Sequence, residues 1–199
     1  LDTLTGLLNR KTFDENFDRF IASAGRNLPR EEGERRVEKD VETYSWLAVI
    51  DIDHFKKIND TFGHLFGDEV PVRLAELMRK SFRLRDKLFR FGGEEFIVLL
   101  RHVSAEDARA IFERFLTTVE AYEFPQVGQV TASLGYSRID TSKPAPEILG
   151  HADEALYFSK ENGRNQVNNF EDVLSRGLLE SHEQADNTDL QADIDALFG

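Results

Sequence analysis

Two adjacent carboxylates, Glu94 and Glu95, follow Gly92 and Gly93 near the middle of the chain. The segments on either side are strand-like, and a Gly-Gly pair between two strands is typical of a tight hairpin turn, which needs positive φ. Bare glycine backbone lets a phosphate approach closely, and paired carboxylates are ligands for a divalent cation. Paired glutamates at a turn are also common on solvated surfaces, so this motif alone leaves both interpretations open.

A second acidic motif, Asp51-Ile52-Asp53, ends the apolar segment 44–50, which is typical of a buried strand. Carboxylates rarely lie inside a sheet unless they are paired or bind a metal. An aspartate at a strand end can also cap the following helix. The downstream segment 54–68 is rich in groups that hydrogen-bond a polar ligand, and this density favours a site.

Together these motifs resemble a GGDEF domain, the diguanylate cyclase family, in its Gly-Gly-Glu-Glu-Phe variant. The resemblance covers about residues 2–170 and rests on several independent motifs in family order. The remaining motifs are Asp2-Thr-Leu-Thr-Gly-Leu-Leu-Asn-Arg10, Asp51-Ile-Asp-His-Phe-Lys56, Asn59, Gly63-His64, Gly67-Asp68 and Lys160-Glu-Asn-Gly-Arg-Asn165.

The resemblance implies a homodimer that condenses two GTP molecules into cyclic di-GMP and pyrophosphate, with Mg²⁺ as cofactor and Mn²⁺ as a substitute. It implies metal ligation by Asp51, Glu94 and the Ile52 carbonyl. We also expect Glu94 to accept the proton of the attacking hydroxyl, and Glu95 to support this site or to bind a second metal. Such a reaction spreads negative charge over phosphate oxygens, so positioned cations should carry most of the catalysis.

The family pattern assigns recognition of the base to Asn59, His64 and Asp68. A carboxylate accepts from both N1–H and the 2-amino group of guanine, whereas adenine presents an acceptor there, so Asp68 is expected to select guanine. The pattern also predicts substrate contacts at Phe55, Gly92, Gly93, Lys160 and Arg164, the last two toward the triphosphate, and makes Lys56 the catalytic residue that stabilises charge on the phosphates.

The residues Arg83 and Asp86 have the spacing of the Arg-x-x-Asp site at which cyclic di-GMP inhibits members of the family. Arginine can pair with phosphate and stack on guanine. An Arg/Asp pair at this spacing is also common as a salt bridge at a helix end, and Arg85 is a rival for the arginine position. Arg114 is a candidate for a supporting arginine.

Two other functions stay open: a catalytically silent receptor for cyclic di-GMP, and a nucleotide cyclase with a monomeric cyclic product. Silent members of the family usually lose the acids of the hairpin or of the strand end. This chain keeps Asp51, Glu94 and Glu95, which favours the enzyme.

Composition excludes several classes of site and partner. The 199 residues contain no cysteine, which excludes a thiolate metal site and a cysteine nucleophile, and the net charge of −12 argues against binding of nucleic acid. No apolar run is long enough to span a membrane. We expect a cytoplasmic domain without membrane contact, or the cytoplasmic part of a larger membrane-anchored protein whose N-terminal sensor or regulatory domain is missing from this chain.

The order of helical and strand-like segments predicts an α+β fold. The resemblance implies a ferredoxin-like palm, similar to nucleotidyl cyclase catalytic domains, with a central, mainly antiparallel sheet flanked by helices. We expect helices after the caps Asn9 and Ser104, and Pro71 in the first turn of another helix. The predicted strands cover 44–50, 87–91, 96–100, 129–136 and 166–170.

The sequence predicts a GGDEF domain over residues 1–170, interrupted by a charged insertion at about 26–43. Residues 171–199 form an acidic C-terminal tail, in which only four apolar residues suggest a short amphipathic helix. They are Leu190, Ile194, Leu197 and Phe198.

Overall fold

The computed structural model describes residues 1–24 and 41–179. Within them, eight strands form a central sheet and a small separate hairpin. The strands are β1 (Leu8–Asn9), β2 (Tyr44–Ile52), β3 (Lys87–Gly92), β4 (Glu95–Val103), β5 (Glu123–Phe124), β6 (Gly128–Gln129), β7 (Ala132–Arg138) and β8 (Val167–Asn169). The helices are α1 (Arg10–Ala24), α2 (Phe55–Phe62), α3 (His64–Ser81), α4 (Ala105–Ala121), α5 (Ala145–Glu161) and α6 (Phe170–Ser175).

The central sheet has the strand order β1-β3-β4-β2-β7-β8, and β5 pairs with β6 apart from it. The three inner pairings, β3 with β4, β4 with β2 and β2 with β7, are antiparallel. The two edge strands, β1 and β8, are parallel to their neighbours. The mainly antiparallel sheet predicted from the sequence is therefore confirmed.

The chain order β2-α3-β3-β4-α4-β7, with β3-β4-β2-β7 side by side, is the ferredoxin-like arrangement. It brings the end of β2 beside the turn between β3 and β4, because the last residues of β2 pair with the first residues of β4. The ferredoxin-like palm is confirmed.

Alternation along β2 divides the core into two layers. Trp46, Ala48 and Ile50 belong to the cluster that α3 and α4 cover, whereas Leu47 and Val49 belong to the cluster that α1 and α5 cover. Successive side chains of a strand point to opposite faces. The residue after Ile50 therefore continues the face that α5 covers.

Helix α5 packs directly on β7 at Gly135. A Cβ atom there would lie 2.0 Å from the backbone nitrogen of Leu156 and 2.4 Å from the carbonyl of Ala152. Only glycine allows this approach, and the close packing fixes the end of α5 against the sheet.

Both predicted caps are confirmed, since the Asn9 side chain accepts from the Thr12 N–H at 2.9 Å and Ser104 accepts from the Asp107 N–H. The prediction for Pro71 is wrong, because this residue lies inside α3 and is buried. The helix begins at His64, well before the apolar stripe that starts at Val70, so the hydrophobic pattern could not reveal its first two turns.

The last predicted boundaries differ in detail from the structure. The predicted strand 129–136 is divided, since β6 ends at Gln129 and β7 begins at Ala132. The domain end predicted at residue 170 is the first residue of α6, whose Val173 is buried, so packed structure continues past it. Residues 25–40, most of the predicted insertion, and the predicted helix of the tail lie outside the described residues. None of the described helices is both long and apolar enough to cross a membrane.

Candidate active site

Asp51 lies near the end of strand β2, where its side chain is only 12% exposed. The Lys160 ammonium, in the last turn of α5, lies 2.9 Å from Asp51 Oδ1. Burial raises the pKa of Asp51; Lys160 opposes this rise, and the charges of Glu94 and Asp53 add to it. The buried carboxylate of Asp51 is therefore paired with the Lys160 ammonium, and two further acidic residues, Glu94 and Asp53, lie near it.

The glycine hairpin lies beside this carboxylate. Gly92 and Gly93 have φ of 142° and 48°, the positive values that the turn motif predicts. The Ile52 N–H donates to the Glu94 carbonyl at 3.2 Å, and Asp51 is paired in register with Glu95 across β2 and β4. Asp51, Ile52, Glu94 and Glu95 are thus brought together, as their predicted roles require.

A buried arginine holds the hairpin from the other side. Arg90 donates to the Gly93 carbonyl at 2.8 Å and pairs with both carboxylate oxygens of Asp2 at 3.1 and 3.2 Å. Partial burial pushes the pKa of Asp2 upward, but hydrogen bonds from Thr5 and Arg90 outweigh it and hold the pKa below its usual value. Asp2 belongs to the N-terminal motif and Arg90 to the predicted strand 87–91, although sequence reasoning gave neither a role.

Glu95 lies in a more acidic environment than the sequence suggests. Burial raises its pKa, and the charges of Asp153 and Asp51 raise it further, against Arg10 and Lys160. Asp153 was missed because it lies on α5 outside every motif, next to another acidic residue, Glu154. The acidic neighbourhood of Glu95 is compatible with a second cation.

The donor set can be tested against the implied Mg²⁺. In the described part of the chain, no three His, Asp or Glu side chains form a ready metal cage. This suits Mg²⁺, which usually takes one or two protein carboxylates and completes its coordination with phosphates and water. Asp51 and Glu94 are hard oxygen donors whose charges oppose each other, and a cation between them would relieve that repulsion. The residues fit the group.

We call the corner between α2 and α3 the base side; it contains Asn59, His64, Gly67 and Asp68. His64 and Asp68 are exposed and lie four residues apart on α3, so they share a face. Asn59 Oδ1 is buried against Gly67 and has no hydrogen-bond partner among the described residues. A buried polar atom without a partner is uncommon and is a frequent mark of a ligand site.

The predicted phosphate contacts lie at the two helix ends nearest Asp51. At the start of α2, the first N–H bonded within the helix is that of Ile58, which donates to the His54 carbonyl. The N–H groups before it, beginning with that of Phe55, have no partner of this kind. Because the Phe55 side chain is buried, a substrate contact there would use the backbone. Lys56 is exposed on the same turn.

The second helix end is that of α5, followed by the loop 162–166. This loop carries Arg164, which is exposed, while Lys160 lies in the helix just before it. We call Asp51, Asp53, Lys160 and the loop 162–166 the strand-end side of the site.

Sequence reasoning left Asp53 without a role, although it is 4% exposed. Its Oδ2 accepts from Thr131 Oγ1 at 2.7 Å and from the Asn165 N–H at 3.1 Å, and its Oδ1 accepts from Ser133 Oγ at 2.6 Å. The hydroxyl residues Thr131, just before β7, and Ser133, within it, were the signal that could have indicated a buried polar partner.

The Arg-x-x-Asp residues form a turn away from these groups. Asp86 accepts from the Arg83 N–H at 2.8 Å, and burial raises its pKa despite the nearby Arg85, Arg83 and Arg101. The Arg83 side chain is exposed. Phe82, next to this turn, packs its ring on those of Phe112 and Phe115 of α4.

The ring packing also brings the turn close to the stretch of α4 that carries Arg114, which is exposed. The bonds seen at Asp86 are those of a local turn, and the arginine side chains are available to a ligand. Arg101 is an additional arginine near Asp86 that the sequence did not indicate.

Comparisons with known proteins agree with this geometry. A family model described as "Diguanylate cyclase, GGDEF domain" matches residues 1–166. The diguanylate cyclase DgcP of Pseudomonas aeruginosa is 38% identical over 169 residues, which are 83% of this chain and 23% of that protein. The diguanylate cyclase DgcZ of Escherichia coli K12 is 32% identical over 169 residues, 83% of this chain and 52% of that protein. The chain thus spans between about a quarter and half of these relatives.

Two solved structures have the same fold. The GGDEF domain of DgcB from Caulobacter crescentus, in complex with c-di-GMP, is similar with a TM-score of 0.72 and 34% identity, covering 85% of this chain and 95% of that one. The active GGEEF domain of a diguanylate cyclase from Vibrio cholerae has a TM-score of 0.68 and 31% identity, covering 82% and 97%. The predicted resemblance is confirmed: this chain belongs to the GGDEF domain family of diguanylate cyclases.

Proposed function

We propose that this domain condenses two GTP molecules into cyclic di-GMP and pyrophosphate. The observation that carries the proposal is the position of Asp51, buried at the end of β2, in register with Glu95 and beside the turn that holds Glu94. These acids would be expected to diverge in a domain that only binds a ligand. Their close arrangement favours turnover over a silent receptor.

The reaction requires the ribose 3′-oxygen of one GTP to attack the α-phosphorus of the other. The second GTP attacks the first in the same way, so that two P–O bonds form, two bonds to pyrophosphate break, and each hydroxyl proton passes to the Glu94 of one of the two facing sites. Asp51, Glu94 and the Ile52 carbonyl would hold Mg²⁺, or Mn²⁺ in its place. When bound, the metal neutralises phosphate charge and lowers the pKa of the attacking hydroxyl.

The chain's cations and backbone donors supply the remaining charge stabilisation. The free N–H groups at the start of α2, beginning with that of Phe55, are suited to bind phosphate oxygens, since a helix N-terminus favours anions. Lys56, Lys160 and Arg164 would neutralise the triphosphate, and the bare backbone of Gly92 and Gly93 would leave room for it. Lys160 already lies at Asp51, so it needs little movement to reach a phosphate beside that carboxylate.

Guanine selection belongs to the base side. The Asp68 carboxylate would accept from N1–H and the 2-amino group, and Asn59 and His64 would complete the contacts. Asn59 packs against Gly67, the residue before Asp68, which supports a shared role for the two side chains.

Each site would hold one GTP, so the active form is proposed to be a homodimer with two facing sites. The direct test is to incubate the protein with GTP and Mg²⁺ and to identify the product by mass spectrometry over a range of protein concentrations. We expect cyclic di-GMP, with specific activity that rises with concentration. A monomeric cyclic product would replace this proposal by a nucleotide cyclase, and binding of cyclic di-GMP without turnover would replace it by a receptor.

Feedback inhibition by cyclic di-GMP at Arg83 and Asp86, with Arg114 in support, is the regulatory part of the proposal. Arg83→Ala removes at least two charge-assisted hydrogen bonds, each worth about 1.5 to 3 kcal/mol, so product affinity should fall at least about tenfold. Initial turnover should stay within a few-fold of the parent. Inhibition of Arg83→Ala as strong as that of the parent, or full relief by saturating GTP, would contradict this part.

The setting of the reaction is also proposed. GTP is an intracellular nucleotide, so we place the activity in the cytoplasm. The relatives are longer than this chain, and we propose that a further segment of that kind regulates the activity.

A further inference from the structure

We propose that Asp53 is a positioning residue that holds the loop after α5, and through it Lys160 and Arg164, in place for the triphosphate. This inference rests on the proposed function. Asp53 would touch neither GTP nor metal; it would act through the loop.

The hydrogen bonds of Asp53 leave its carboxylate saturated by the protein itself. Two hydroxyls and one backbone N–H donate to it at 2.6 to 3.1 Å. Its own N–H donates to the Thr131 carbonyl at 2.9 Å. A carboxylate at 4% exposure with three donors is fixed in one orientation. Asp51, two residues earlier, differs from Asp53 because its carboxylate forms an ion pair with Lys160.

The loop that Asp53 binds has an unfavourable backbone. Gly163, Arg164 and Asn165 all have positive φ, of 112°, 62° and 43°. The left-handed conformation is costly for residues other than glycine and persists only where the surroundings hold it. Within the loop, the Arg164 N–H donates to the Ser159 carbonyl at 3.0 Å, and the Gln166 side-chain amide donates to the carbonyls of Asn162 and Arg164. The Asn165 N–H donates outside the loop, to Asp53.

The bond from Asn165 to Asp53 therefore ties this strained loop to the strand end that carries Asp51. The loop follows the last turn of α5, which carries Lys160, and contains Arg164. Its position therefore sets where Arg164 stands and helps to hold the helix end that carries Lys160. The described residues contain no ion pair to Asp53, and Lys160 pairs with Asp51. Hydroxyl and backbone amide donors thus hold Asp53. Lys160 remains paired with Asp51, beside the proposed position of the phosphates.

Strand β7 offers a matched pair of variants to test this role. Ser133 and Ser137 are both fully buried, and each donates one hydrogen bond, Ser133 to Asp53 and Ser137 to the Ile148 carbonyl. Ser133→Ala weakens the support of Asp53, whereas Ser137→Ala removes a comparable hydroxyl elsewhere in the strand. Asp53→Asn is the stronger variant, since it removes the charge and replaces one of the two carboxylate acceptors by a donor.

The experiment measures binding of a non-hydrolysable GTP analogue and of GMP, each with Mg²⁺, by calorimetry on the full chain. We expect Asp53→Asn to lower the affinity for the GTP analogue at least about tenfold and Ser133→Ala to lower it severalfold. The affinity for GMP should stay within twofold of the parent value in both variants. Ser137→Ala should leave the ratio of the two affinities at the parent value. GMP lacks the β- and γ-phosphates, so the ratio reports the contacts of the loop.

If Asp53 had only a general structural role, the outcome would differ. The affinities for the GTP analogue and for GMP would fall equally, or Tm would fall while the ratio of the two affinities stayed at the parent value. Either result in a folded Asp53→Asn or Ser133→Ala protein overturns the inference. Should Asp53→Asn fail to fold, Ser133→Ala alone decides. A parent protein that binds no GTP analogue overturns the proposed function, and this inference with it; a parent that forms cyclic di-GMP while the variants keep the parent ratio overturns the inference alone.

Discussion

The strand-end side and the base side of the candidate site differ in how their polar groups are satisfied. At the strand end, Asp53 accepts three hydrogen bonds and Asp51 pairs with Lys160 at 2.9 Å. At the base side, His64 and Asp68 are exposed, and the buried oxygen of Asn59 has no partner among the described residues.

This difference separates two physical tasks. Groups that stabilise charge in a reaction are most effective when they are already oriented, because no reorganisation is then needed during the reaction. Groups that recognise a base need only complementary donors and acceptors, and exposed side chains can provide them on contact. We therefore expect substitutions of the charged groups at the reacting phosphates, Asp51, Glu94 and Lys160, to reduce turnover, and substitutions at the base side to reduce affinity and selectivity. Asp53, which acts through the triphosphate contacts, is expected to affect affinity for GTP.

The largest effect is expected for Glu94→Gln, which keeps the size of the side chain but removes its charge. Loss of one preorganised electrostatic contact should lower kcat by about two orders of magnitude or more. The measurement is steady-state formation of cyclic di-GMP, with circular dichroism to establish folding. Glu106→Gln, on the exposed first turn of α4, is the control and should retain parent activity. Near-normal turnover in folded Glu94→Gln would place the metal elsewhere.

A somewhat smaller loss is expected for Lys160→Met, which keeps the length of the side chain but removes the ammonium beside Asp51. We expect kcat/KM for GTP to fall about 100-fold, as for loss of a fixed donor at a developing charge. Lys143→Met, at the other end of the same helix region and paired with Glu147, controls for loss of a surface lysine. If both variants have equal activity, the ion pair at Asp51 is only structural.

The base side is tested by Gly67→Ala. A Cβ atom at this position would lie 1.7 Å from Asn59 Oδ1, so the amide must move. We expect KM for GTP to rise about tenfold, equivalent to about 1.4 kcal/mol of binding, with kcat within twofold of the parent. Gly150→Ala in α5 is the matched control, because nothing lies within 4 Å of its added Cβ. A loss confined to kcat would contradict the division between the two sides.

The smallest effect concerns the ion pair that holds the hairpin from the far side. Asp2→Asn should lower the free energy of unfolding by about 1 kcal/mol at pH 7, since it removes the charge from the hydrogen bonds with Arg90. The pKa of Asp2 is lowered in the folded protein, so its stabilisation is complete above the usual carboxyl pKa and disappears as the pH falls through the lowered value.

Urea unfolding of parent and variant from pH 7 to pH 3 measures this difference. The two stabilities should converge at the acidic end. Asp14→Asn, whose exposed carboxylate pairs with Arg10 on α1, should differ little from the parent at any pH. A difference between Asp2→Asn and the parent that stays constant with pH would show that the carboxylate charge is not what holds the hairpin.

Local sequence was sufficient for the elements and for the residue types of the site. The Gly-Gly pair between two strand-like segments predicted a tight turn with positive φ. The apolar run before Asp51 predicted a buried strand, and Asn9 and Ser104 marked the starts of their helices. Each of these depends on atoms within a few residues of one another, so the printed order of residues contains the information. The start of α3 was missed for the converse reason, because the apolar residues of its first two turns, Leu65 and Phe66, are exposed and do not continue the buried stripe that starts at Val70.

Only the tertiary structure decided which of these residues form hydrogen bonds or ion pairs with one another. The donors to Asp53 are Thr131, Ser133 and Asn165, which are 78, 80 and 112 residues away along the chain. Arg90 and Asp2 are 88 residues apart. Such contacts depend on strand register and on the approach of α5 to the sheet, and a shift of one residue would turn every side chain to the other face. The sequence by itself determined which acids and cations were present and near which element ends. The packing of distant segments decided that Asp51 is paired with a lysine, while Asp53 is held by hydroxyls and backbone.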